Sequence, residues 1–83
     1  MKATAIQNIF TQLSENCESI NEGRNKKGIA PISYQMEINT SNKKYEYSLD
    51  EDSSWSIENG TLWLETNKGT QWIDIDKIES IEI

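Results

Sequence analysis

The residues from Trp55 to Ile83 constrain the fold most, because apolar and polar side chains alternate along them and two turn signals interrupt the alternation. A period of two is typical of β-strands that bury one face and leave the other in water. This run therefore predicts a small antiparallel sheet.

The dipeptide Asn59-Gly60 is the strongest hairpin signal in the run. A type I′ turn requires positive φ at both central residues, which asparagine tolerates and glycine adopts freely. Closing the chain there predicts three cross-strand pairs that the apolar pattern also favours: Glu58 with Thr61, Ile57 with Leu62, and Trp55 with Leu64. This register places Trp63 on the face opposite to the aliphatic residues.

The second turn signal, Asn67-Lys68-Gly69, allows two registers, which a bulge could reconcile. A two-residue Lys68-Gly69 loop pairs Leu64 with Ile73 and Leu62 with Ile75, whereas a three-residue loop pairs Leu62 with Asp74. We prefer the first register because an unpaired buried carboxylate is costly. It makes Trp63 and Trp72 diagonal neighbours on the outer face, beside Glu65 and Asp74. Either a second layer covers that face or both indoles lie in solvent.

The N-terminal residues show helical periodicity. Thr4 and Gln7 fit a capping box, and Gly23 fits the position after the helix end, so we expect a helix from about Thr4 to Asn21. One apolar stripe follows the helical spacing and includes Ile6, Ile9, Phe10, Leu13, Cys17 and Ile20. We interpret Cys17 as a small buried apolar residue, because no histidine or base motif accompanies it.

Between the helix and the sheet, the sequence predicts a loop from Glu22 to Ala30 and then a hairpin. Alternating residues around Ile32–Ile38 and Tyr45–Leu49 indicate two strands joined by a turn at 39–43. The acidic segment Asp50–Ser54 breaks the alternation. It lacks the ligand spacing of an EF-hand loop, so we interpret it as an acidic turn without a metal.

The final isoleucines change their spacing at Asp76-Lys77, which predicts a strand, a tight turn and a last strand. This ending resembles that of SH3-like and Sm-like small barrels, where a short 3₁₀ turn joins the last two strands. The resemblance rests on spacing alone and implies no function. The predicted fold is therefore α+β: one N-terminal helix packed on a five- to six-stranded antiparallel sheet, which could also curl into such a barrel.

Length and composition exclude several classes of protein. Eighty-three residues predict one domain, 1–83, with a thin core that leaves little room for a deep ligand pocket. One cysteine and no histidine exclude a disulfide framework and a Cys/His zinc site. No catalytic motif and no cofactor motif is present, so we expect neither an enzyme nor a cofactor. No apolar run suits a membrane span or a signal peptide, which favours a cytoplasmic protein.

The leading functional hypothesis is a non-enzymatic protein-binding module: an inhibitor, an adaptor or an assembly subunit. Exposed tryptophans with a charged rim are typical of interface centres. The candidate protein-binding residues are Trp63, Trp72, Glu65 and Asp74, together with the acidic turn residues Asp50, Glu51 and Asp52. The expected partner is another protein, and a basic surface on it would suit the acidic chain. A homodimer through an uncovered edge strand is also compatible with the sequence.

The alternative is an acidic nucleic-acid mimic, of the phage- or mobile-element type, that inhibits a host nucleic-acid-binding protein. Its surface would comprise Glu37, Glu46, Asp50, Glu51, Asp52 and Glu58. A weaker hypothesis is single-stranded nucleic acid stacked on Tyr34, Tyr45 and Tyr47 beside the basic segments 24–27 and 43–44. The net charge of −6 argues against direct nucleic-acid binding.

Overall fold

The computed structural model describes residues 1–83, which form one long helix, six strands and one 3₁₀ turn. In chain order the elements are α1 (Ala3–Lys26), β1 (Tyr34–Thr40), β2 (Lys44–Leu49), β3 (Ser54–Glu58), β4 (Thr61–Thr66), β5 (Gly69–Asp74), the 3₁₀ turn (Ile75–Lys77) and β6 (Ile78–Glu82). No helix combines the length and the apolar character needed to cross a membrane.

The strands form two antiparallel sheets of three strands each, in the orders β2-β1-β6 and β3-β4-β5. We call them the first and the second sheet. The α+β class is confirmed, but the single five- to six-stranded sheet and the SH3- or Sm-like barrel are not, because neither sheet closes. The chain changes sheets at the turn 50–53 and at the 3₁₀ turn, where the backbone leaves the extended conformation and the ladders stop. The predicted tight turn between the last two strands is confirmed.

Helix α1 extends further at both ends than the sequence indicated. Thr4 does not cap it: Lys2 is the N-cap residue and gives no side-chain hydrogen bond. Gly23 lies within the helix, and the residue after the C-cap is Gly28, with φ of +70°. The Gly28 N–H donates to the Asn25 carbonyl (3.1 Å) and the Ile29 N–H to the Arg24 carbonyl (2.9 Å), which is a Schellman motif. The helix therefore occupies the first half of the predicted 22–30 loop.

The helix packs against both three-stranded sheets, not against one larger sheet. The Phe10 ring lies 6.1 Å from the Tyr47 ring of the first sheet and 5.1 Å from the Trp55 indole of the second, measured between centroids. The Trp55 indole N–H also donates to the Ser14 hydroxyl at 2.8 Å. One continuous core results, containing Ile6, Phe10, Cys17, Met36, Ile38, Tyr47, Leu49, Leu62, Leu64, Ile73, Ile75 and Ile78.

The predicted apolar stripe ends at Ile20, but the buried residue at this end of the helix is Asn21. Ile20 is 43% exposed, whereas its neighbour Asn21 is only 2% exposed. The Asn21 side chain accepts from the Ile32 N–H (2.7 Å) and donates to the Ile32 carbonyl (3.0 Å), as a neighbouring strand would. This pair of bonds satisfies the Ile32 backbone just before β1 begins, so a buried polar residue anchors the helix to the first sheet.

The two hairpins of the second sheet differ in how well the sequence predicts them. The Asn59-Gly60 turn has positive φ at both residues, and its predicted pairs are confirmed. At the second turn both registers considered are wrong, because the loop residues are Asn67 and Lys68 and Thr66 pairs with Gly69. Leu62 therefore lies opposite Ile73. The preferred register was wrong by two residues, and an even shift leaves every side chain on its predicted face.

Candidate functional site

The outer face of the second sheet carries three cross-strand rows of side chains, and we call it the tryptophan face. Its centre is the row that joins Ser56, Trp63 and Trp72. One flanking row contains Ser54, Glu65 and Thr70, and the other contains Glu58, Thr61 and Asp74. The opposite face of the same strands supplies Leu62, Leu64 and Ile73 to the core. The alternation of the sequence thus separates a packed face from a free one.

Trp63 and Trp72 lie directly opposite each other on neighbouring strands, not diagonally as the preferred register predicts. Their ring centroids are 5.7 Å apart and the ring planes are inclined by 38°. Trp63 is 37% and Trp72 63% exposed, so no second layer covers them. Such a pair stabilises the hairpin by about 0.5–1.5 kcal/mol, yet leaves large aromatic area in water.

The carboxylates of the tryptophan face are held by short local bonds. Glu65 accepts from the Ser54 hydroxyl at 3.1 Å across the sheet. Asp74 accepts from the Asp76 N–H at 3.0 Å and so caps the 3₁₀ turn. Glu58 lies on the same face, although the sequence had suggested it only for a separate acidic surface. The sequence already contains this information, because the Asn59-Gly60 turn places Glu58 on the same face of the sheet as Trp63.

Asp50, Glu51 and Asp52 lie in the corner between β2 and β3, outside the rows of the tryptophan face. The Asp50 carboxylate accepts from the Asp52 N–H at 2.9 Å, and the Ser53 hydroxyl accepts from the Asp50 N–H at 2.9 Å. These bonds are those of a polar turn. The structure therefore separates the seven candidate residues into four on the sheet face and three in the corner.

A surface groove of about 610 Å³ lies between α1 and this corner, and it is open to solvent rather than enclosed by the core. Cys17 and Trp55 are among its lining residues, together with acidic side chains. Burial raises the pKa of the Cys17 thiol, and the charges of Asp50 and Glu51 raise it further. The thiol is therefore protonated at neutral pH and poorly suited to act as a nucleophile.

The acids proposed for a nucleic-acid mimic do not form one surface. Glu37 and Glu46 lie directly opposite each other on the outer face of the first sheet, and Glu82 continues that row. Lys44 contacts the Glu37 carboxylate at 3.1 Å, and this hydrogen bond lowers the pKa of Glu37. Glu58 lies on the second sheet and the remaining three residues in the corner, so the set is divided among three places.

Of the three tyrosines in the nucleic-acid hypothesis, only Tyr34 and Tyr45 are partly exposed. Tyr47 is buried in the core, and Tyr34 and Tyr45 are half-buried against it. The basic residues of the helix end are used locally: the Arg24 guanidinium donates to the Ala30 carbonyl at 2.6 Å, and Lys26 lies 3.9 Å from the carboxylate of Glu22. The burial of Tyr47 removes that ring from the stacking surface that the hypothesis uses.

Comparison with known proteins adds no information to this geometry: no protein-family model matches the chain, and no curated protein or solved structure is similar to it.

Proposed function

We propose that the chain is a small, non-enzymatic protein-binding module that contacts its partner through the tryptophan face. The observation that carries this proposal is the exposure of two tryptophans side by side on a three-stranded, hydrogen-bonded sheet. Tryptophan is the residue most enriched among the side chains that dominate binding energy, and such side chains lie near the centre of an interface.

The surroundings of the indoles match the expected anatomy of an interface. Small polar residues and carboxylates surround the central row, which gives an aromatic centre and a polar rim. The backbone beneath is fixed by two ladders, so little conformational entropy is lost when a partner binds. A cytoplasmic location is part of the proposal and is compatible with the one free cysteine, which stays reduced there.

The test is affinity capture with wild-type protein and with the double variant Trp63→Ala/Trp72→Ala, from extracts of the cells that encode it. Each truncation of a central tryptophan costs about 2 kcal/mol or more, so we expect the double variant to lose at least about 100-fold in affinity for the wild-type partner. The matched control is Ile20→Ala/Ile29→Ala, which removes two other exposed large apolar side chains, 43% and 46% exposed.

The control variant should retain the partner fully. A double tryptophan variant that is folded, as shown by an unchanged circular dichroism spectrum, and that still captures the same partner at wild-type yield would exclude the tryptophan face as the binding surface.

The second candidate is the acidic mimic, and one observation favours it. Glu46, Glu37 and Glu82 form a row of three carboxylates on adjacent strands, although like charges directly opposite each other destabilise a sheet. Such a row of carboxylates would suit a basic nucleic-acid-binding site. This mechanism predicts binding that survives the tryptophan substitutions, falls steeply with added salt and weakens in Glu46→Gln/Glu82→Gln. Binding that is insensitive to salt would exclude it.

A further inference from the structure

We propose that the tryptophan face recognises a basic protein surface by its arginine side chains, each guanidinium stacking on Trp63 or Trp72 and donating to a neighbouring carboxylate. This inference rests on the proposed function and identifies the chemistry of the partner. It follows from the charges on the face, from the position of those charges relative to the indoles, and from the exposure of the rings.

The tryptophan face carries three acids and no base. Its nine side chains include Glu58, Glu65 and Asp74, while Lys68, in the turn between β4 and β5, is the only basic residue from 54 to 74. Lys68 forms no ion pair, so it neutralises none of the three carboxylates directly. The patch is therefore negative as well as aromatic, and a complementary partner must be positive.

Each indole has a carboxylate two residues away along its own strand: Glu65 follows Trp63, and Asp74 follows Trp72. Side chains at this spacing point to the same side and lie about 7 Å apart along the strand. A planar guanidinium lying over an indole can therefore also reach the adjacent carboxylate with its N–H groups. Two such units lie next to each other, because Trp63 and Trp72 are opposite in the ladder.

Arginine fits this arrangement better than lysine does. Its guanidinium is flat, stacks on aromatic rings and presents several N–H donors in a fixed plane, whereas the lysine ammonium is a compact and strongly hydrated charge. Tryptophan is also the aromatic ring that attracts cations most strongly. The hydroxyl of Ser54 and the Asp76 N–H hold the two carboxylates in place, which reduces the rotamer entropy lost on binding.

A second copy of the chain does not suit the face. Two copies that met through it would bring together six carboxylates from chains that each carry a net charge of −6. Like charges brought together across an interface are unfavourable, so self-association through this face is opposed at low salt. The same argument excludes a nucleic acid, whose phosphates are repelled by the rim.

The experiment uses short synthetic peptides as probes and the indole N–H signals of the ¹⁵N-labelled protein as the readout. Three peptides of one sequence carry arginine, lysine or uncharged citrulline at two positions spaced like the two indoles. Trp55 is an internal reference, because its indole N–H is bonded to Ser14 inside the molecule. We expect the arginine peptide to shift the Trp63 and Trp72 signals and to leave the Trp55 signal unchanged.

The affinity for the lysine peptide should be several-fold lower, and binding of the citrulline peptide should be lost. In Glu58→Gln/Glu65→Gln/Asp74→Asn, which preserves the hydrogen-bond acceptors, the arginine peptide should bind about tenfold more weakly, since the two exposed ion pairs with Glu65 and Asp74 and the nearby charge of Glu58 are removed. The matched control Glu15→Gln/Glu18→Gln/Glu79→Gln makes the same change in net charge away from the face and should bind within about twofold of wild type.

Two results would overturn the inference, and they differ in what they imply. If citrulline and arginine peptides shift the Trp63 and Trp72 signals equally, the indoles bind protein but recognise no cation, and the proposed function stands. If the arginine peptide shifts neither signal, arginine recognition is excluded. The proposed function then depends on the capture experiment, which reads the native partner directly.

Discussion

The structure predicts that replacing Asn21 with alanine destabilises the fold more than replacing any exposed residue of α1. Asn21 is almost fully buried, and its amide makes two hydrogen bonds to the Ile32 backbone, at 2.7 and 3.0 Å. It also donates to the Cys17 sulfur at 3.3 Å. Cys17 and Arg24 also donate to backbone carbonyls of the segment that leads into β1, but only Asn21 both accepts from and donates to the same backbone residue there.

The expected loss of stability follows from the hydrogen bonds that the substitution removes and the Ile32 backbone groups that it leaves without a partner. Each backbone bond contributes about 1 kcal/mol net, and an N–H left unsatisfied in a partly buried place costs about 1–3 kcal/mol. Ile32 is half-buried, so water compensates in part, and a loss of about 2–4 kcal/mol is expected. An 83-residue domain has a total stability of about 4–12 kcal/mol, so this loss is a large fraction of it.

Urea unfolding followed by circular dichroism measures this loss. With a slope of about 1 kcal/mol per molar urea for a chain of this size, the midpoint should fall by about 2 M or more. Ser19→Ala, at an exposed position on the same helix, is the control and should leave the midpoint nearly unchanged. A midpoint for Asn21→Ala close to that of wild type would refute the assignment of Asn21 as the anchor.

The variant Asn21→Asp tests the same contact by pH. Aspartate keeps the acceptor for the Ile32 N–H but loses the donor to the Ile32 carbonyl, and Asp50 and Glu51 line the groove that Asn21 also lines. Burial and these charges raise the pKa of the introduced carboxyl in the folded state. The destabilisation should therefore be complete at neutral pH and shrink as the pH falls through that raised pKa. A difference in unfolding free energy between wild type and Asn21→Asp that does not change with pH would contradict this prediction.

Three further predictions concern the helix end, the thiol and the first sheet. Gly28→Ala should destabilise the fold by about 1 kcal/mol, because φ at this position is +70°. Gly23→Ala, inside the helix with free space for a Cβ, should stabilise the fold by about 0.5–1 kcal/mol. Thermal unfolding should therefore show midpoint shifts of opposite sign for the two variants. Cys17 should react with a thiol reagent slowly at neutral pH and rapidly in denaturant, since burial raises its pKa; equal rates would contradict its burial. In Lys44→Ala, an NMR titration should show the pKa of Glu37 rising towards its ordinary value. The difference in stability between wild type and this variant should become smaller as the pH drops through the lowered pKa of Glu37 in the wild-type protein, because protonation of Glu37 removes its ion pair with Lys44. An unchanged Glu37 titration would show that Lys44 does not hold that carboxylate.

The sequence predicts the second sheet well because two independent signals agree there. The Asn59-Gly60 turn and the apolar alternation specify the same pairs, and both are confirmed. At the next turn only the apolar alternation constrains the strand register. Shifting the register by two residues leaves the same side chains on the same face, so the alternation does not distinguish the two registers. The faces of Trp63 and Trp72 were therefore predicted correctly, while their pairing partners were not.

The helix ends and the division into two sheets depend on information that local patterns do not contain. By local pattern Gly23 and Gly28 are both candidates for the residue after the helix end, and the helix continues through Gly23 to the Schellman motif at Gly28. Likewise, the sequence predicts an acidic turn and a tight turn before the last strand. It does not predict the angle at which the chain leaves each turn, and that angle decides whether the next strand joins the same sheet or the other one. Phe10 contacts an aromatic ring of each sheet, and such long-range packing is not encoded in any local pattern.

Hydroxyl-radical footprinting of the three tryptophans, read by mass spectrometry with and without the captured partner, is the most direct test of the proposed binding surface. In the free protein, Trp72 and Trp63 should oxidise faster than Trp55, in keeping with their positions on the open face. In the complex, Trp63 and Trp72 should be protected and Trp55 unchanged. Slow oxidation of Trp63 and Trp72 in the free protein, or equal oxidation of both with and without the partner, would contradict the assignment of this face as the interface.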